Sequence, residues 1–300
     1  MQLVLVLVAL VVAASAPAPA GAAPFQAKVR TATVDGEKIA WYERGSGPPL
    51  VMAIGTGSTM AEWDPAMLAL LARERRLILF DYPGVGKSSK LKGSITFAGL
   101  ADTTHAFIRA IGLQEADVLG WSMGGFVAQQ LAIRHPESVR RLILAGTNPG
   151  GDQAVLGDDD DQDIDSDPDP SDDAVLRVLY PRTKAGRAEG RAFLKRLETA
   201  SESGEIPDDF DVRASTVRKQ VAAEDPWLRS NANANALKQL RVPTLVTGGK
   251  LDPVVPPLNA TRTAALIPGA RLELYPGSHA FLFGDRAAFA GDVEAFLSSP

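Results

Sequence analysis

The chain has 300 residues, a formal net charge of -5, 45% hydrophobic residues and no cysteine. That length suits one large domain with an insertion better than two full domains, and the lack of cysteine removes disulfides, thiolate metal ligands and a cysteine nucleophile together. Ten of the 36 acidic residues are aspartates crowded into residues 158–173, which hold no Lys or Arg, so the rest of the chain is mildly basic. No basic stripe with interleaved aromatics runs through it, which argues against a nucleic-acid partner.

Residues 1–20 read as a signal peptide. An apolar run from Leu3 is followed by small residues, with Ala18 and Ala20 forming an A-x-A site before Gly21. The run is too short for a membrane span, so cleavage near Ala20 and a secreted or extracytoplasmic protein are expected, with no stable membrane span afterwards. The n-region has no Lys or Arg, and retention as an uncleaved anchor is the alternative. Residues 21–27 form an Ala/Pro linker.

Lys28–Val34 and Glu37–Glu43 flank Asp35-Gly36, a favoured two-residue hairpin turn. The alternation of Val29, Thr31 and Thr33, then Ile39 and Trp41, predicts half-buried antiparallel strands. From Leu50 the pattern changes to continuous apolar runs, Leu50–Ile54 and Leu77–Phe80, as strands buried on both faces of a parallel sheet require. Between them Asp64 can cap a helix with Pro65 at its first position. Leu100, Thr104, Phe107, Ile108 and Ile111 recur at helical spacing before Gly112. A strand at Val118–Gly120, a helix to Arg134 and a strand at Leu142–Ala145 follow. This alternation predicts a mostly parallel, doubly wound α/β sheet, in which function gathers at the carboxyl ends of the strands. Gly55, Asp81, Ser122 and Asn148 stand there.

The alternation fails over residues 150–240. Helical segments around Val175–Leu179 and Ala192–Leu197, placed between two sheet strands, predict a helical cap inserted into a core of residues 28–149 and 241–300. The aspartates of 158–173 are expected to form a solvated, disordered loop, because like charges repel and bury nothing. Asp163, Asp165 and Asp167 mimic the start of an EF-hand loop, but Pro168 replaces its glycine and Ala174 its glutamate, so a calcium site is not expected. The strand pattern returns at Pro243–Thr247, followed by a helix over Leu258–Leu266, a strand at Arg271–Tyr275 and a final helix bearing Phe289, Val293, Phe296 and Leu297.

Chemistry is concentrated in Gly120-Trp121-Ser122-Met123-Gly124, a G-x-S-x-G run set between strand and helix. That context fits a nucleophile elbow, whose flanking Gly120 and Gly124 leave room for a strained central residue. The Met123 amide, at the helix N-terminus, is placed to donate to a developing oxyanion. A serine hydroxyl needs a base, itself oriented by a third group. Only three histidines exist. His105 lies within a helix and His135 at a helix end, where structural roles are expected. His279 follows a strand end in a loop of small residues, as Asp252 does, in the chain order Ser, Asp, His. Gly84-Val85-Gly86-Lys87-Ser88 imitates the end of a P-loop, but Asp81 stands where the first glycine belongs, so nucleotide binding is not expected.

Four motifs in this order, G-W-S-M-G-G at 120–125, D-Y-P-G-V-G-K-S at 81–88, G-G-K-L-D-P-V-V-P at 248–256 and G-S-H-A at 277–280, resemble those of the α/β-hydrolase-fold serine hydrolases over residues 28–300. The resemblance implies Ser122 as nucleophile, His279 as base and Asp252 as its orienting carboxylate. It also implies a second oxyanion donor in the A-I-G-T-G-S loop at 53–58, from the Thr56 amide with Gly55 as spacer. Family members usually carry His-Gly where this chain has Ile54-Gly55. Hydrolysis of a small carboxylic ester or lactone is expected, with no cofactor and no metal. Same-fold peptidase, C-C hydrolase and cofactor-free perhydrolase activities remain open, as does a hydrolase-fold binding protein with an unused triad. A serine at the elbow argues against dehalogenase and epoxide-hydrolase chemistry. Oligomeric state and acyl preference are not encoded in these patterns.

Overall fold

A computed structural model describes residues 25–299, and the expected signal segment with its cleavage site lies outside the described residues. Eight strands form a single sheet: β1 (Arg30–Val34), β2 (Glu37–Arg44), β3 (Pro49–Ala53), β4 (Arg76–Phe80), β5 (Ala116–Trp121), β6 (Val139–Ala145), β7 (Thr244–Gly249) and β8 (Arg271–Tyr275). Their spatial order is β1-β2-β4-β3-β5-β6-β7-β8, with β2 antiparallel to both its neighbours and every later pairing parallel. The first hairpin turns as its sequence requires, with Asp35 and Gly36 both at positive φ.

Alternation along the central strands divides the core between two faces. Val51, Ile78, Val118, Leu142 and Val246 point to one face and pack against α2 (Phe97–Ala110) and α3 (Met123–Arg134). Leu50, Met52, Leu77, Leu119 and Leu245 point to the other and meet α1 (Pro65–Leu71). Asp64 caps α1, accepting from the Ala66 and Met67 amides, with Pro65 at its first position.

Between β6 and β7 stand α4 (Asp159–Ser166), α5 (Asp172–Leu179), α6 (Lys184–Glu202), α7 (Ala214–Ala222), α8 (Glu224–Leu228) and α9 (Ala232–Leu237). After β7 come α10 (Leu258–Leu266), α11 (Phe281–Gly284) and α12 (Arg286–Leu297), the last burying Phe289, Val293, Phe296 and Leu297 as its spacing predicted.

The aspartate run departs from expectation. Residues 159–166 are helical, and Asp161 is buried rather than solvated. Asp159, Asp160 and Asp161 occupy the first turn, where backbone N–H groups and the helix dipole favour negative charge. Arg182 and Arg177, both outside the run, supply cations to Asp161. Along the chain the aspartates meet only like charge, and the two arginines reach Asp161 only through the fold. The helix also excludes an EF-hand loop at Asp163, Asp165 and Asp167.

Candidate active site

Ser122 is one of two non-glycine residues at positive φ among the described residues, at φ 56 and ψ -125 between β5 and α3. Such backbone strain persists only where the surroundings enforce it. They do so here. A Cβ on Gly120 would collide with the Gly124 carbonyl and with Ala128, and one on Gly124 would collide with the Ala53 carbonyl. The Ser122 amide donates to the Ala145 carbonyl at 2.9 Å, locking the turn to β6.

His279 and Asp252 meet through a 2.8 Å contact between Nδ1 and Oδ2. The other carboxylate oxygen of Asp252 accepts the amides of Val254 and Val255 at 3.0 and 2.9 Å, which fixes the carboxylate in its loop. His279 is 2% exposed, and its Nε2 has no hydrogen-bond partner among the described residues. With Nδ1–H given to Asp252, Nε2 is left as the basic nitrogen. Burial pulls the His279 pKa down, but the Asp252 charge and hydrogen bond outweigh it and hold the pKa above its usual 6.5. The motif glycines bring the two loops together, since a Cβ on Gly249 would strike the Ser278 carbonyl and one on Gly277 would strike Phe281.

Ser122 and His279 both line a cavity of about 400 Å³. The N–H of Met123 opens α3, where first-turn donors have no intrahelical acceptor. Thr56 also lines the cavity, from the loop after β3, and its N–H makes no hydrogen bond among the described residues. Gly55 gives that loop its close approach, because a Cβ there would stand 3.1 Å from the Ser122 Cβ. The expected residues Ser122, Asp252, His279, Met123, Thr56, Gly55, Gly120 and Gly124 are therefore brought to one place.

The other two histidines are not. Their rings stack at 4.0 Å, with His105 bonded to Ser138 and His135 to Asp102, and neither lines the cavity. The P-loop imitation is also accounted for. The Lys87 amide donates to Asp81 and its ammonium pairs with Asp208 at 2.7 Å. Asp81 further accepts the Met60 amide at 2.8 Å, tying the turn after β4 to the segment after the Thr56 loop.

Several contributors escaped the sequence reading. Trp121 donates from Nε1 to the His279 carbonyl at 3.1 Å, so the variable position of the elbow motif anchors the base. The Ala280 amide donates to Leu179 at 2.9 Å, joining α5 to the histidine loop. Gln220 of α7 is fully buried and accepts the Gly57 amide at 3.0 Å, which holds the Thr56 loop from the cap side. Glu224, whose carboxyl burial pushes up to about 8, accepts from the Thr56 hydroxyl at 3.5 Å. The elbow spacing pointed to position 121 without revealing its bond, and no motif surrounds Gln220 or Glu224.

Residues 48–287 match the family model for the alpha/beta hydrolase fold. The chain belongs to this family. Among its relatives is a poly(3-hydroxyalkanoate) depolymerase of Ectopseudomonas oleovorans, 29% identical over 282 residues, which are 89% of this chain and 92% of that one. A putative carbamate hydrolase of Azorhizobium caulinodans is 29% identical over 252 residues, 82% of this chain and 90% of its own. An α/β-hydrolase fold protein from Chitinophaga pinensis superposes with a TM-score of 0.78 at 26% identity, covering 91% of this chain and 98% of that chain. An esterase from Rhodococcus superposes at 0.71 with 25% identity, over 90% and 98% of the two chains. No described helix of this α/β hydrolase is long and apolar enough to cross a membrane.

Proposed function

We propose that this α/β hydrolase cleaves a small carboxylic ester or lactone through an acyl-enzyme on Ser122. The observation that carries the reading is His279, held by Asp252 at 2.8 Å and presenting a buried, unpartnered Nε2 to the cavity that Ser122 lines. Ser122 Oγ attacks the ester carbonyl as Nε2 accepts its proton, and that proton then goes to the departing alcohol. The Met123 and Thr56 amides receive the oxyanion. Water, deprotonated by the same nitrogen, releases the acid and restores Ser122. The depolymerase and esterase relatives support a carboxylic ester.

The test is labelling of the mature protein with a fluorophosphonate, read by mass spectrometry, beside Ser122→Ala and His279→Ala. Modification of Ser122 that both substitutions abolish, together with turnover of short-chain esters, is expected. A folded wild type that neither labels nor hydrolyses any ester would overturn the proposal and favour a binding protein of the same fold.

A further inference from the structure

The cavity holds a carboxylate that ester hydrolysis does not use. Asp165, in the last turn of α4, lines it together with Ser122 and His279. The buried aspartates of the described residues all have partners. Asp64 is paired with Arg196, Asp117 with Arg140, Asp161 with Arg182, Asp81 accepts two amides, and Asp252 accepts two amides and faces His279. Asp165 makes no hydrogen bond or ion pair among the described residues. Burial raises its pKa, with the His279 charge acting in the opposite direction and the Asp252 charge in the same one. Half-buried on the cavity wall, the Asp165 carboxylate is open to a ligand, and a cationic group would pair with it.

The surroundings agree on the sign of the ligand. Among the described residues no Lys or Arg lines the cavity, while exposed Asp167, Asp169, Asp172 and Asp211 do. A cleft lined by one sign of charge concentrates the opposite sign within it. Trp121, Phe283 and Phe193 also line the cavity, Phe283 packing against Trp121 at 5.1 Å and against Phe193 at 5.3 Å between ring centroids, and give it an apolar wall beside the carboxylates. Independently of the aspartates, the buried and unpartnered Nε2 of His279 identifies this space as a ligand site.

We propose that Asp165 determines specificity in this cavity, selecting esters that carry an ammonium group a few bonds from the scissile carbonyl. The proposal rests on the hydrolase reading above. The acidic rim draws such a substrate in, Asp165 receives its cation, and the same field disfavours anionic esters.

An isosteric pair isolates the charge: trimethylammonioethyl butyrate and its uncharged carbon counterpart, dimethylbutyl butyrate. For the wild type kcat/KM is expected to favour the cationic ester by about tenfold or more at low salt, the ratio shrinking as ionic strength rises. Asp165→Asn should bring the ratio towards unity, whereas Asp163→Asn, an exposed change on the same helix, should leave it in place. Equal hydrolysis of both esters by the wild type overturns this inference and leaves the hydrolase reading standing. A strong cationic preference that Asp165→Asn does not alter removes the assignment to Asp165. Should Asp165→Asn fail to fold, the wild-type ratio and its salt dependence still decide the charge preference. A folded wild type that neither labels with fluorophosphonate nor hydrolyses any ester removes both proposals.

Discussion

Gln220→Met separates a structural role for the cap from a catalytic one. Gln220 is fully buried, its Oε1 accepts the Gly57 amide at 3.0 Å, and its Nε2 has no partner among the described residues. Methionine has a similar length and removes both polar atoms. If the loop stays where it is, the Gly57 N–H is left buried and unsatisfied, at a cost of about 1–3 kcal/mol, partly offset because the unpaired Nε2 is removed as well. If the loop moves to give that N–H a new partner, stability is largely kept but the adjacent Thr56 amide leaves the oxyanion position, and loss of one such donor lowers turnover about 10² to 10³-fold. In the second outcome kcat falls with KM little changed, because the oxyanion exists only in the transition state. Gln220→Glu keeps an acceptor oxygen and should recover most of the rate. Steady-state kinetics on a short-chain ester, with thermal melts of each variant, distinguish the two. A lowered melting temperature with unchanged kcat would refute the claim that the cap holds the oxyanion loop.

Further outcomes follow from the same geometry. Asp252→Asn keeps the shape but frees His279 to adopt the wrong tautomer, and a fall in kcat of about 10⁴-fold is expected from presteady-state and steady-state assays. His279 must be neutral to act as base, and Asp252 raises its pKa, so kcat/KM should rise with pH through a midpoint above 6.5, seen in a profile from acid to alkaline pH. Gly120→Ala places a methyl group against the Gly124 carbonyl and Ala128, so fluorophosphonate labelling and melting temperature should fall together. Glu224 keeps its proton to higher pH in the folded state than when unfolded, up to about 8, so folded protein binds more protons over that window. Its contribution to stability is full below the ordinary glutamate range and is lost as pH rises through about 8, and Glu224→Gln should flatten that decline in melting temperature.

The sequence by itself determined the sheet, the elbow and the chain order of Ser122, Asp252 and His279. Buried parallel strands must be apolar throughout, and a strained serine demands small neighbours such as Gly120 and Gly124, so both constraints are written locally. The helices of the cap were legible only in part, at Val175–Leu179 and Ala192–Leu197, where apolar spacing survives. Folding alone makes the contacts that join distant segments: Arg182 and Arg177 pairing with Asp161, Trp121 anchoring His279, Gln220 reaching Gly57, and Asp165 left without a partner among the described residues in the cavity wall. Each depends on which groups end up within a few ångströms after folding. Hydrogen bonding and charge pairing act over those distances, and linear spacing carries no record of them.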